Sequence, residues 1–321
     1  MISIVMIVYD IEAYVEKAIK SVLAQTYKDF EFILVVGRGE DKCLEICEKY
    51  AQLDSRIKLK IITPNGAADA RNHGMELVTG DYLGFVDGDD YIEPDMYESM
   101  MNNIKKYDAD IAVCGRFYEY QNTTLQDVSS EPIVLSADEA LKVTLSHEGF
   151  FLHCWDKLYS RKIYEGLNFE TKLIVEDRII VDEMLGKADR IVYDSTPKYH
   201  FRERSGSISK QRVMVRNNIK ADEVMLDFIK REHPAILPDG LTFILYEYIT
   251  AIQNELTDID TNYDDIREYQ KCIRKLMKDD NLIIGKGLRV KAYLALYAKG
   301  LLGIYTKLRK KNVSQELVRF Q

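Results

Sequence analysis

Three carboxylates fall within four residues at Asp87-Gly88-Asp89-Asp90, directly after the apolar run Tyr82–Val86. Like charges crowded in this way repel one another unless something positive binds among them. A divalent cation shared between carboxylate oxygens and a diphosphate would supply that charge, and Mn²⁺ or Mg²⁺ suits an oxygen-rich donor set. An acidic turn leading into a helix after Pro94 is the other reading of the same residues.

Upstream, Ala70-Arg71-Asn72-His73-Gly74 offers a guanidinium whose planar fork can pair with a diphosphate. A solvated helix arginine has the same appearance, and His73 reads as a hydrogen-bonded helix residue rather than a metal ligand. Downstream, Glu176-Asp177 opens a helical pattern. Two carboxylates there can cap the helix start, where negative charge is favoured, or supply a general base that takes a proton from an acceptor hydroxyl. Tyr199-His200-Phe201-Arg202-Glu203-Arg204 mixes aromatics with cations, as a phosphate-bearing or sugar ligand would require. The single tryptophan, Trp155, can stack on a sugar ring or fill the core.

These residues need a frame. Ile2–Val8, Phe30–Val36, Ile57–Ile62 and Tyr82–Val86 read as short β runs, separated by helical patterns at Ala13–Gln25, Asp41–Gln52 and Ala68–Val78. Such alternation predicts βαβ units and a mostly parallel sheet, with ligands at the carboxyl ends of the strands. Those ends carry Tyr9-Asp10, Val36-Gly37 and the acidic turn. Pro94 opens a helix to about Tyr107, Asp110–Tyr120 reads as a strand, and Gln121–Glu131 as a hairpin or loop. Ala137–Ser146 and Val175–Gly186 are helical, and Arg190–Tyr193 and Lys198–Arg202 are two short strands. From about Gln211 the pattern is helical, which divides the chain into an α/β domain at 1–210 and a C-terminal helical region at 211–321.

The composition, 46% hydrophobic and 30% charged over 321 residues, is that of a folded soluble chain. Five scattered cysteines and the lack of a secretory leader predict a reducing, cytoplasmic setting, with Cys43 and Cys47 packed in a core. Net charge is −8, yet the last 41 residues hold nine Lys or Arg against one Glu. A domain-wide basic groove for nucleic acid is absent. No apolar run reads as long enough to span a bilayer. Val290, Leu294, Tyr297, Leu301, Tyr305 and Leu308 recur at helical spacing among Arg289, Lys291, Lys299, Lys307 and Arg309–Lys311. This basic amphipathic pattern fits docking on the inner face of a membrane, packing on the body, or contact with another subunit, a homo-oligomer included.

In order along the chain, Ile4–Asp10, Ser21–Glu31, Ala70–Gly74, Asp87–Asp90, Glu176-Asp177 and Tyr199–Ser209 together resemble the family 2 glycosyltransferases with a GT-A fold. The resemblance covers about residues 1–210. It implies a Rossmann-like sheet flanked by helices and an inverting transfer of sugar from a nucleotide-sugar donor, a UDP-sugar by expectation, to a hydroxyl of a growing glycan. It also implies residue roles. Asp89 would hold the metal, and Asp87 the ribose or the metal shell. Asp90 would assist at the donor sugar. Arg71 with Arg202 or Arg204 would add positive charge, and Asp177, with Glu176 next to it, would be the catalytic base. Val8, Tyr9, Asp10, Val36 and Gly88 would line the donor site, and Trp155 and His200 would face the acceptor.

One departure stands out. Where the family has two aspartates, glycine and serine after the second strand, this chain has Val36-Gly37-Arg38-Gly39. The aspartate that accepts the uracil N3–H is missing, and Asp10 is the candidate substitute. The same departure motivates one other reading, a GT-A subunit without activity. A second alternative, a sugar nucleotidyltransferase, also binds nucleotide-sugar and metal on an α/β sheet. The second would carry a basic glycine-rich loop after the first strand, where this chain has Tyr9-Asp10-Ile11-Glu12.

Overall fold

In the computed structural model, the apolar runs Ile2–Val8 (β1) and Phe30–Gly37 (β2) lie side by side in parallel, with Val8 opposite Val36. Both are buried along nearly their whole length, as strands are when helices cover both faces of a sheet. The structure describes residues 1–120, 123–146, 150, 152–170, 176–203, 213–258 and 261–306, without the side chains of Glu176, Val213 and Met214. The chain divides into two compact units, Met1–Asn217 and Asn218–Gln321.

In the first unit, Ile57–Ile62 (β3) and Tyr82–Asp87 (β4) join β1 and β2 in the parallel order β3-β2-β1-β4. The crossovers carry Glu12–Leu23 (α1), Cys43–Leu53 (α2) and Ala67–Met75 (α3). Parallel strands bring their carboxyl ends to one edge, so Tyr9, Gly37 and Asp87 converge. A Cβ on Gly74 would lie 2.5 Å from Val5 Cγ1, so α3 sits on β1 at a separation that glycine allows. Cys43 and Cys47 are buried, and burial pushes both thiols up to about 12, so they act as inert packing.

The sheet continues through Tyr91–Ile92 (β5), Ile111–Glu119 (β6), Thr124–Gln126 (β7), Ile133–Leu135 (β8), Lys157–Ser160 (β9) and Ile191–Arg202 (β10), in the order β4-β9-β6-β10-β5. The helices Met96–Tyr107 (α4), Ala137–Ser146 (α5), Arg161–Tyr164 (α6) and Glu176–Lys187 (α7) fall between them. β7 folds back on β6 as the expected hairpin. Strand β9 inserts antiparallel between β4 and β6, so this half of the sheet is mixed rather than parallel. The two short strands expected at 190–193 and 198–202 are one strand. Its register slips on either side of Pro197, which has no N–H for the ladder. A Cβ on Gly115 would lie 2.0 Å from the Ser195 carbonyl oxygen, so glycine is what admits this irregularity.

Val213–Glu232 (α8) begins just before the boundary and leads, in the second unit, into Leu237–Thr257 (α9), Tyr263–Leu276 (α10) and Lys286–Tyr297 (α11), followed by helical residues 299–306. The Asn262 side chain caps α10 by accepting from the backbone N–H groups of Asp264 and Asp265. Contrary to the sequence expectation, one helical stretch, Pro234–Thr257, is long and apolar enough to cross a membrane by length and composition. It serves here as a core helix, burying Leu241, Phe243, Ile244, Leu245 and Ile252 while α10 and α11 pack against it.

The expected apolar stripe of the last helices does not form their packed face. Ala292, Ala295 and Leu296 are buried, whereas Val290, Tyr297, Leu301 and Tyr305 are exposed. Leu308, Lys307 and Arg309–Lys311 lie outside the described residues.

Candidate active site

Strand β4 ends on Asp87, and the chain turns at once through Gly88-Asp89-Asp90, closed by the Asp90 N–H donating to the Asp87 carbonyl (3.0 Å). A Cβ on Gly88 would lie 2.7 Å from the Ile7 carbonyl oxygen and 2.6 Å from Ile11 Cδ1. Glycine therefore lets the turn press against the end of β1. Behind it stands β10. The Asp87 N–H donates to the Tyr199 hydroxyl oxygen (3.1 Å), and that hydroxyl donates to Asp90 Oδ2 (3.0 Å). The Arg202 N–H donates to Asp90 Oδ1 (2.8 Å), and its guanidinium to the Asp89 carbonyl (3.1 Å).

This bracing separates the three carboxylates. Asp90 is buried against β10, where desolvation, then Asp89 and Asp87, push its carboxyl well above the usual range. Its part is to hold the turn, and it does not line the cleft as expected of a donor contact. Asp87 and Asp89 do line the cleft. Asp87 Oδ1 accepts from the Arg71 guanidinium (3.1 Å); burial is the largest influence on Asp87 and raises its carboxyl, Arg71 opposes this, and Asp89 and Asp177 add to it.

The cleft, about 460 Å³, lies at the carboxyl ends of β1, β2 and β4 and is lined by Tyr9, Gly37, Pro64, Arg71 and the turn residues Asp87, Gly88 and Asp89. Tyr9 is 52% exposed and offers its ring to a ligand. A Cβ on Gly37 would lie 2.9 Å from that ring and 3.1 Å from Pro64 Cγ, so the ring and the proline close over a residue without a side chain. Helix α3 begins at Gly66, whose φ of 92° suits glycine, and its first turn faces the cleft. Arg71 is 5% exposed, and its guanidinium lies 5.6 Å from the Phe169 ring. The next residue, Asn72, clamps Phe169 by both backbone groups, at 3.0 and 2.7 Å. His73 faces Asp69 and Glu76 on its own helix and its neighbourhood, as a helix-surface histidine does.

From a separate segment, Asp177 lies in the first turn of α7. Its Oδ1 accepts from the Arg178 N–H (3.0 Å), and its Oδ2 lies 3.4 Å from His153 Nδ1. Burial raises Asp177, but His153, Arg71 and Arg178 outweigh it and hold the carboxyl below the usual range. His153 was not singled out in the sequence. Its carbonyl accepts from Lys157 Nζ (2.7 Å), and Lys157 is fully buried beside Asp156 at 2.5 Å, so a buried ion pair steadies the segment that meets Asp177.

Several sequence candidates stand elsewhere. Val36 is fully buried in β2, and Gly37 takes the cleft position instead. Asp10 adopts φ 51° and turns its carboxylate toward Gly39, into a shallow depression shared with Glu12, Glu40 and Asp41. It therefore does not line the cleft in which a uracil acceptor would be needed. Trp155 is 3% exposed, stacked on Tyr199 at 4.1 Å, and His200 is sandwiched between Tyr91 and Phe117 with ring nitrogens on Glu93 and Glu119. Neither ring presents a face to an acceptor. Arg202 lies against the Tyr91 ring and the turn carbonyl. Arg204 and the Glu176 side chain lie outside the described residues. Among the described residues no group of three or more His, Cys, Asp or Glu converges as a ready metal cage. The cleft offers Asp87 and Asp89, an oxygen-only pair whose chemistry fits a hard divalent cation.

Residues 3–167 match the family model described as Glycosyl transferase family 2. The chain is 33% identical over 220 residues to "Glycosyltransferase GlyA" of Streptococcus pneumoniae, a match covering 65% of this chain and 31% of that protein. It is 31% identical over 221 residues to "Uncharacterized glycosyltransferase EpsJ" of Bacillus subtilis, covering 65% of this chain and 63% of the relative. The matched parts are thus less than two thirds of either relative. Among solved structures, S. aureus TarS 1–349 in complex with UDP-GlcNAc aligns with a TM-score of 0.71 at 16% identity, over 95% of this chain and 88% of that one. The mannosyltransferase PcManGT from Pyrobaculum calidifontis, in complex with GDP-Man and Mn²⁺, aligns at 0.52 and 13% identity, over 95% and 87%. Likeness at that identity speaks for the fold, and with the helix-flanked sheet it bears out the GT-A architecture. The chain is a glycosyltransferase of family 2.

Proposed function

We propose that the enzyme transfers a sugar from a UDP-sugar to an acceptor hydroxyl with inversion at the anomeric carbon. The carrying observation is the division of labour between segments. Asp87, Asp89 and Arg71 gather on the donor cleft, while Asp177 comes from α7 with its carboxyl held ionised near neutrality. Inversion needs a base across the sugar from the leaving group, so donor and base groups must come from different parts of the chain.

In this reading the diphosphate lies along the start of α3, where backbone N–H groups and Arg71 meet its charge. Asp89, with Asp87 beside it, would hold Mn²⁺ or Mg²⁺, and that ion when bound neutralises the leaving diphosphate. Asp177 takes the proton of the acceptor hydroxyl as its oxygen bonds to the anomeric carbon, and the bond from that carbon to the diphosphate breaks. His153 keeps Asp177 ionised and oriented. The TarS complexes with UDP-GlcNAc and UDP support uridine as the base, stacked on Tyr9, with its edge met by backbone groups near Gly37 rather than by a carboxylate. The acceptor in this reading is a hydroxyl of a growing glycan, lipid-linked or protein-linked.

The test is product analysis with a panel of nucleotide-sugars. Release of nucleoside diphosphate, by transfer or slow hydrolysis, supports the reading. Release of pyrophosphate would make the enzyme a nucleotidyltransferase, and binding without turnover would make it a non-catalytic subunit.

A further inference from the structure

Helix α11 has two opposite faces. Ala292, Ala295 and Leu296 are buried, and α9 and α10 pack on the helix, with Gln270 donating to the Ala295 carbonyl at 2.7 Å. The other face carries Val290, Tyr293 and Tyr297, exposed by 58, 52 and 73%. At 3.6 residues per turn these three fall within an arc of about 60°. Lys286 continues the same stripe, and Arg289 and Lys291 fall on either side of it. Tyr293 and Tyr297 stack on each other at 6.2 Å, which gives the stripe a continuous aromatic surface. Exposed Ile283 precedes it, and Leu301, Ile304 and Tyr305 follow on helical residues 299–306. From Asn281 to Thr306 there is no Asp or Glu, while Lys286, Arg289, Lys291 and Lys299 all fall in this stretch.

We propose that this face docks the enzyme on an anionic lipid surface. The stripe would enter the region between headgroups and acyl chains, where tyrosine is favoured because its ring is apolar and its hydroxyl can stay wet. The flanking cations would meet lipid phosphates. Charge decides against a second copy of the chain as the occupant: joining two such faces would set cation against cation with no carboxylate in the stretch to offset them. A neutral apolar groove would offer no opposite charge to Lys286 and Arg289, while Lys291 and Lys299 lie over the Tyr246 and Tyr263 rings at 6.0 and 4.9 Å.

Flotation of the full chain with vesicles tests it. Binding is expected to phosphatidylcholine vesicles containing phosphatidylglycerol, to fall as salt rises, and to be weak on phosphatidylcholine alone. Replacing Lys286, Arg289 and Lys291 with Gln should lower partitioning on the order of a hundredfold. Tyr293→Ser with Tyr297→Ser should lower it at least ~10-fold with melting temperature and donor turnover unchanged. Absence of binding, equal binding to both vesicle types, or parental binding by the tyrosine double variant would each overturn the proposal. So would light scattering that shows a lipid-free dimer dissociated by the tyrosine variant, since the occupant would then be a second copy.

Discussion

The cleft region of the first unit and the stretch 283–306 of the second treat charge in opposite ways. In residues 1–217, Arg71, Asp90, Arg116, Asp156 and Lys157 are buried, the first two at or just behind one cleft. In the stretch 283–306 of the second unit, large apolar side chains stand exposed among outward cations. Burying a charge costs several kcal/mol unless partners compensate, so a fold that keeps such groups holds them for positioning or chemistry. Exposing a contiguous apolar surface also opposes stability in water, and it marks contact with something outside the unit. In the function and the docking proposed above, the first region acts and the second docks.

That contrast breaks first at Asp177. Asp177→Asn keeps the shape of the side chain but cannot take a proton, so transfer should fall ~10²–10⁴-fold while donor binding by calorimetry is retained. Near-normal turnover would move the base elsewhere, with Glu176 next to be tried.

The pH profile sharpens the same point. The folded-state value of Asp177 is depressed, so its ionised form contributes stability above its unfolded value of roughly 3.9, and that contribution is lost as pH falls through the lower folded value. The acid limb of kcat/KM should lie in the same low window. His153→Gln removes the foremost influence opposing burial and should move that limb to higher pH. An unmoved limb would show that His153 does not act on Asp177.

Smaller effects separate the regions by stability. Tyr199→Phe removes the hydroxyl that links the Asp87 N–H to Asp90, leaving buried groups unpaired at a cost of ~1–3 kcal/mol, readable in denaturant unfolding. Tyr293→Ser in the second unit should change stability by less than ~0.5 kcal/mol, because that ring is half exposed.

Much of the first region was legible because its signals are local. β1 and β3 run over the residues expected, since short apolar runs bounded by polar turns leave little choice, and their carboxyl ends fixed where to look for ligand chemistry. What escaped was set by tertiary contact. β9 begins with a lysine, a poor strand signal, yet Lys157 is fully buried because Asp156 and the His153 carbonyl satisfy it. The aromatic and cationic hexapeptide at 199–204 suggests that His200 faces a ligand, but a strand alternates its faces, and here Tyr199 braces the acidic turn while His200 fills an aromatic sandwich. Asp10 failed for a related reason. A left-handed φ of 51° swings its carboxylate toward Gly39, and no spacing in the sequence encodes that turn. In the second unit the helical period was read correctly, but period alone cannot say which face of an amphipathic helix the neighbours cover.

Calorimetric titration of the full chain with UDP, with Mn²⁺ and with chelator, for wild type and Asp89→Ala, reads whether Asp89 and the start of α3 hold a metal-bound nucleoside diphosphate. Binding should appear with Mn²⁺ and weaken at least ~10-fold both on chelation and in the variant, a change of ~1.4 kcal/mol. Equal affinity in all four titrations, or no binding of UDP in any of them, would take the metal-bound diphosphate away from this cleft.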